Sequence, residues 1–93
     1  MSLLAGVVIS LTGAPVATAH AVLDKAVPSL GSVVSTAPRE IRLTFSEGIE
    51  PAFSRIELST AEGQSIRTPA AAIDRINDTQ LVLQIPSLAP GRY

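Results

Sequence analysis

The alternation of apolar and polar positions is clearest at residues 40–46. Apolar residues stand at 41, 43 and 45, and polar residues stand at 40, 42, 44 and 46. Successive side chains of a β-strand point to opposite faces of a sheet, so this period of two predicts a strand with one buried and one solvated face. Residues 80–85 predict a second strand, with Leu81, Leu83 and Ile85 on one face. We therefore expect two amphipathic strands.

Other segments predict shorter or less regular structure. Residues 21–26 read as an extended segment with mixed faces, residues 53–59 as a further strand, and residues 92–93 as the start of another. Residues 65–79 are indecisive, because 68–72 fits either a loop or a brief helix.

Proline and glycine separate these segments. They and neighbouring small polar residues predict turns at 28–32, 61–64, 77–78 and 86–91. Several short strands with regular turns and no helical periodicity are typical of an all-β sandwich.

A sandwich that lacks a strand exposes unpaired backbone groups. Because the last predicted strand has just begun at Arg92, we expect this sandwich to be missing its last strand or strands.

The first 19 residues follow a different pattern. Residues 3–11 are almost entirely apolar, Gly13 and Pro15 interrupt any helix, and Ala17 and Ala19 are the small residues that a signal peptidase requires. This is the pattern of a secretory signal, although no Lys or Arg precedes the apolar run, which is too short to span a bilayer. The alternative is a buried strand or helix. We expect residues 1–19 to be a cleaved signal peptide and residues 20–93 to form one domain.

Charge and composition exclude several functions. The net charge is −1, no basic run is present, and aromatic residues make up 3% of the chain, so no nucleic-acid partner is expected. The sequence has no cysteine, which excludes disulfides, thiolate metal sites and cysteine nucleophiles.

His20 is the single histidine and would become the first residue of a chain cleaved after Ala19. Its free α-amine (ordinary pKa near ~8) and its imidazole could then bind one metal ion and close a chelate ring. Cu(II) prefers nitrogen and oxygen ligands and has the highest affinity among the divalent first-row metals. The alternative is an ordinary surface or core histidine.

Four segments in order resemble the CopC/PcoC family of periplasmic copper-resistance proteins, and the resemblance spans residues 20–93. They are His20 directly after the cleavage site, a P-x-x-G turn within 27–32, a P-x-x-I-x-L-x-F-S-E strand within 37–47, and an L-x-x-G-x-Y turn at 88–93.

The resemblance implies an immunoglobulin-like or cupredoxin-like Greek-key β-sandwich in the periplasm that binds Cu(II). In the family, copper is held by the N-terminal histidine and by an Asp and a His of a D-x-H segment beyond the G-x-Y turn. A glutamate of the F-S-E motif lies near the metal in some members. By position, His20 matches the first ligand and Glu47 matches that glutamate, although a solvated surface carboxylate is the alternative for Glu47.

The sequence departs from the family pattern in two ways. No D-x-H segment follows the G-x-Y turn, so copper binding is expected to be weaker than in a complete family member. Some members carry a methionine-rich loop for Cu(I), whereas Met1 is the single methionine here. Any copper site in residues 20–93 is therefore expected to take Cu(II).

Three functions stay open. The first is a periplasmic Cu(II) chaperone or buffer in copper resistance or homeostasis, with a CopD-type inner-membrane copper transporter as its partner. The second is an exported immunoglobulin-like module without metal that serves structure or protein contact. The third is the N-terminal part of a CopC–CopD-type membrane copper importer. An enzyme is not expected, because a catalytic triad needs a histidine held within the fold.

Overall fold

The computed structural model describes residues 7–8, 21–50, 52 and 54–93. Within these ranges the chain forms short β-strands, and no helix there is long and apolar enough to cross a bilayer. The predicted all-β class is confirmed. In chain order the strands are β1 (Val7–Val8), β2 (Leu23–Val27), β3 (Val33–Val34), β4 (Glu40–Phe45), β5 (Leu58–Ser59), β6 (Ser65–Ile66), β7 (Ala72–Ile73), β8 (Gln80–Gln84) and β9 (Gly91–Arg92).

The largest sheet has the order β2-β4-β8-β7 and is antiparallel throughout. Its centre is the β4–β8 pair, in which Ile41 lies opposite Leu83 and Leu43 lies opposite Leu81. All four side chains are buried. The two strands predicted at 40–46 and 80–85 are therefore confirmed. They are hydrogen-bonded neighbours in the sheet, and their buried residues lie opposite each other in register.

The core lies between this sheet and the smaller sheets. Leu58 of β5 is buried with the central leucines and isoleucine, and Val34 of β3, Ile66 of β6 and Tyr93 pack against the same cluster. The Tyr93 hydroxyl donates a hydrogen bond of 2.7 Å to the Ala89 carbonyl, which joins the end of the chain to the segment before β9. Two layers with one apolar interior make the β-sandwich that the sequence predicts.

The predicted strand at 53–59 is mostly wrong, because only Leu58–Ser59 pairs within the described residues. The Ser54 hydroxyl donates to the Glu50 carbonyl at 2.9 Å, and this local bond competes with sheet pairing in the approach to β5. Ile56 still packs against the core without belonging to a strand. Two strands, β6 and β7, lie within the segment 65–79 that the sequence left undecided.

The turns predicted at 61–64 and 28–32 are confirmed. At 61–64 the Thr60 amide donates to the Gln64 carbonyl at 2.8 Å, and Gly63 takes a φ of 90°, which closes the β5–β6 hairpin. At 28–32 the Ser32 amide donates to the Ser29 carbonyl at 3.0 Å. In both turns glycine occupies the left-handed region that other residues avoid.

A third sheet has the order β3-β1-β9. Its middle strand, Val7–Val8, falls within the predicted signal peptide. The rest of residues 1–19 lies outside the described residues, and so does the predicted cleavage site between Ala19 and His20.

Candidate metal site

Glu47 lies directly beyond the end of β4, where the chain runs beside the 77–79 turn. The Phe45 amide donates to the Thr79 carbonyl at 2.8 Å, and the Ile49 amide donates to the Asp78 carbonyl at 3.1 Å. Glu47 stands between these two bonded positions, and its side chain is exposed. The backbone that carries this carboxylate is thus held on both sides, while the carboxylate itself is open to solvent.

Two hydrogen bonds join the segment before β2 to the end of β4. The Val22 amide donates to the Ser46 hydroxyl at 3.0 Å, and the Ser46 amide donates to the Val22 carbonyl at 2.8 Å. The β2–β4 pairing is irregular between Leu23 and Lys25, so these two bonds extend the contact past that irregularity. Val22 is therefore held next to the residue that precedes Glu47.

His20, the first predicted ligand, lies outside the described residues. The structure therefore places one of the two predicted site residues, Glu47, and does not test whether His20 approaches it. The described residues contain no group of three or more His, Cys, Asp or Glu side chains that could hold a metal ion. A metal site at Glu47 therefore needs ligands in addition to those that the described residues supply.

The structure places a second carboxylate, on Asp78, close to this segment. A Cβ atom built on Gly48 would lie 3.0 Å from Asp78 Oδ2, so the glycine leaves room for that side chain. The sequence predicted a turn at 77–78, which the structure confirms by a 3.1 Å bond from the Gln80 amide to the Asn77 carbonyl. The approach of Asp78 to Gly48 carries no local sequence signal, because thirty positions separate the two residues and the β4–β8 pairing brings them together.

The shortest ion pair among the described residues joins Arg42 and Asp74 on the solvated face of the main sheet. Arg42 donates to Asp74 Oδ2 at 2.6 Å, to Gln80 Oε1 at 2.8 Å and to Glu40 Oε2 at 3.0 Å. The guanidinium, together with the backbone amides of Ile76 and Asn77, lowers the pKa of Asp74 to about 2. These charges are satisfied by one another, so they organise the sheet and the 74–77 turn rather than a ligand site.

A comparison with known protein families matches residues 23–93 to the CopC domain. The chain belongs to the CopC family. This confirms the resemblance drawn from the sequence motifs, and membership in this family points to a copper-related function in the periplasm. The matched segment begins three residues after His20, so the match does not assign a role to that histidine.

Curated relatives agree with this family. The chain is 35% identical over 80 residues to Protein YobA of Escherichia coli strain K12, and the same identity is found with Protein YobA of Shigella flexneri. The aligned segment covers 85% of this chain and 64% of each relative. The chain thus spans somewhat less than two thirds of the relatives' length. No solved structure matches the chain.

Proposed function

We propose that this CopC-family protein is a periplasmic Cu(II)-binding protein that serves as a copper chaperone or buffer, and that it is not an enzyme. The proposed form begins at His20 after removal of residues 1–19. The observation that carries the proposal is the double hydrogen bond between Val22 and Ser46, at 3.0 and 2.8 Å, beside the exposed Glu47.

That contact limits how far His20, the proposed first ligand, can lie from Glu47. His20 stands two positions before Val22, and Glu47 stands one position after Ser46. Two residues of extended chain span at most about 7 Å. A chain that begins at His20 would therefore keep the Cα atom of His20 within that distance of Val22, which is bonded to the residue before Glu47.

The ligand chemistry suits Cu(II). The amine and imidazole of His20 would supply two nitrogens from one residue, and Glu47 would supply a carboxylate oxygen, which together fit the tetragonal nitrogen and oxygen sites that Cu(II) prefers. Glu47 is exposed, so water has access to the remaining coordination positions. An open site of this kind suits a protein that accepts and releases copper. We propose a CopD-type inner-membrane copper transporter as the partner for that exchange.

Cu(II) titration of the exported, processed protein tests the ligand assignment. We expect His20→Ala to weaken the Cu(II) affinity at least about tenfold, which corresponds to about 1.4 kcal/mol. Glu47→Gln should weaken it about two- to fivefold, because the amide oxygen is a poorer ligand than the carboxylate. Glu62→Gln is the matched control, since Glu62 is also exposed but lies in the β5–β6 hairpin. Isothermal titration calorimetry of the four proteins gives the comparison.

Equal affinities for the original protein and the His20→Ala variant would refute the proposed site. In that case the alternative of an exported β-sandwich module without metal would be favoured. If Glu62→Gln lowers the Cu(II) affinity as much as Glu47→Gln does, general negative charge rather than ligation by Glu47 attracts the copper ion.

A further inference from the structure

The third sheet holds one short strand between two others. Val7 lies opposite Val34 of β3 and Gly91 of β9, and Val8 lies opposite Val33 and Arg92. β1 runs antiparallel to β3 and parallel to β9. Neighbouring strands are about 4.8 Å apart, so β3 and β9 are about 10 Å apart across β1. At that separation they cannot form hydrogen bonds directly with each other.

The two flanking strands are fixed in place by contacts that do not involve β1. Val34 of β3 packs against the core cluster. On β9, the Arg92 carbonyl accepts a 2.9 Å hydrogen bond from the Ala61 amide of the β5–β6 hairpin, and Tyr93 packs against the core. The rest of the sandwich therefore sets the distance between β3 and β9. The facing edges of these two strands offer backbone N–H and C=O groups to a strand that lies between them.

We propose that β3 and β9 form a strand-binding slot, and that its occupant in the uncleaved chain is the apolar leader segment around Val7–Val8. Residues 3–11 carry no charge and include β-branched valine and isoleucine, a composition that favours edge pairing. The inference uses the proposed leader but is independent of copper binding. It makes Val7–Val8 of the proposed leader part of the folded domain before cleavage. Cleavage then breaks the covalent connection between this strand and the rest of the domain.

Disulfide cross-linking of the full 93-residue chain tests the slot, because the protein has no cysteine of its own. Val8→Cys with Val33→Cys joins two directly opposed positions. Val8→Cys with Val34→Cys is the matched control, since a shift of one residue moves the second side chain to the other face of the sheet. Under mild oxidation we expect the opposed pair to form an intramolecular disulfide at least about fivefold faster than the offset pair, as the geometric requirements of the bond dictate.

Similar rates for the two pairs, or no disulfide in either, would overturn the proposal. Disulfides mainly between two molecules would also overturn it, because the slot would then take a strand of a second copy. Electrophoresis without reducing agent separates these outcomes.

Amide hydrogen exchange supplies a second test that needs no cysteine. Val7→Pro removes a backbone donor from β1. We expect it to speed exchange at the β3 and β9 amides at least about tenfold and to leave the β4 and β8 amides unchanged. Unchanged exchange in β3 and β9 would overturn the proposal. None of these results depends on copper, so they separate failure of the slot from failure of the proposed function.

Discussion

At the scale of single residues, the Arg42–Asp74 ion pair makes a prediction about pH. The pKa of Asp74 is lowered to about 2 in the folded chain, chiefly by Arg42. A carboxyl group whose pKa is lower in the folded state stabilises the fold above its ordinary pKa, and this contribution is lost as the pH falls from about 5 to about 2. We expect Asp74→Asn to lower the melting temperature at pH 7 and to flatten its decline between pH 5 and pH 2.

Thermal unfolding followed by circular dichroism at several pH values measures this effect. Asn can still accept the amide hydrogen bonds of Ile76 and Asn77, which Asp74 Oδ1 accepts at 2.9 and 3.0 Å, so the substitution isolates the charge. The control is Asp24→Asn, at an exposed position of β2. If the melting temperature of Asp74→Asn falls between pH 5 and pH 2 as steeply as that of the original protein, the stabilising role of the Arg42–Asp74 ion pair would be contradicted.

The close approach of Gly48 and Asp78 makes a second prediction at this scale. A methyl group at position 48 would meet Asp78 Oδ2 at 3.0 Å. The exposed Asp78 side chain can move aside, so Gly48→Ala should cost about 0.5 kcal/mol of unfolding free energy, as surface substitutions typically do. In an Asp78→Ala background this cost should disappear. Urea unfolding of the four proteins in a double-mutant cycle measures the coupling, and an unchanged cost would contradict the contact.

Single residues differ in whether their roles can be predicted from the sequence. Glu47 could be identified because it ends a recognisable motif, and Phe45 packs against the core as the alternation at 40–46 predicted. The hydrogen bonds of Ser46 with Val22 could not be predicted, because they depend on how β2 and β4 align.

At the scale of elements, the core of the main sheet depends on β8. Leu83 is completely buried, whereas its neighbour Gln84 is exposed on the same strand. We expect Leu83→Ala to reduce the unfolding free energy by about 2–5 kcal/mol, through lost burial and the cavity left behind. Gln84→Ala should change it by no more than about 0.5 kcal/mol. Urea unfolding followed by far-ultraviolet circular dichroism gives both values, and similar effects would contradict the packing described for β8.

The elements differ in how well the sequence predicts them. β4 alternates strictly between apolar and polar residues, β8 places Leu81 and Leu83 on one face, and the β5–β6 hairpin carries a glycine at the position that needs a positive φ. The strands β3, β6 and β7 are two residues long, so no periodicity can mark them. Their pairing is decided by contacts with distant parts of the chain, which local pattern does not contain.

At the scale of the whole molecule, the sandwich contacts the chain on both sides of the proposed cleavage site. Val7–Val8 lies between β3 and β9, and Val22 is bonded to the end of β4 beside Glu47. The family and the all-β class follow from motifs spread along the sequence. The sheet order and the slot do not, because they arise from pairings between segments that are far apart in the chain.

Electron paramagnetic resonance of Cu(II) bound to the exported protein tests the central claim most directly. Mass spectrometry of the same sample first identifies its N-terminal residue. The proposed function predicts a chain that begins at His20 and gives a tetragonal Cu(II) spectrum with nitrogen hyperfine structure, from which His20→Ala removes the imidazole contribution. A chain that begins elsewhere, or a spectrum that His20→Ala leaves unchanged, would contradict the proposal that this protein binds copper through its N-terminal histidine.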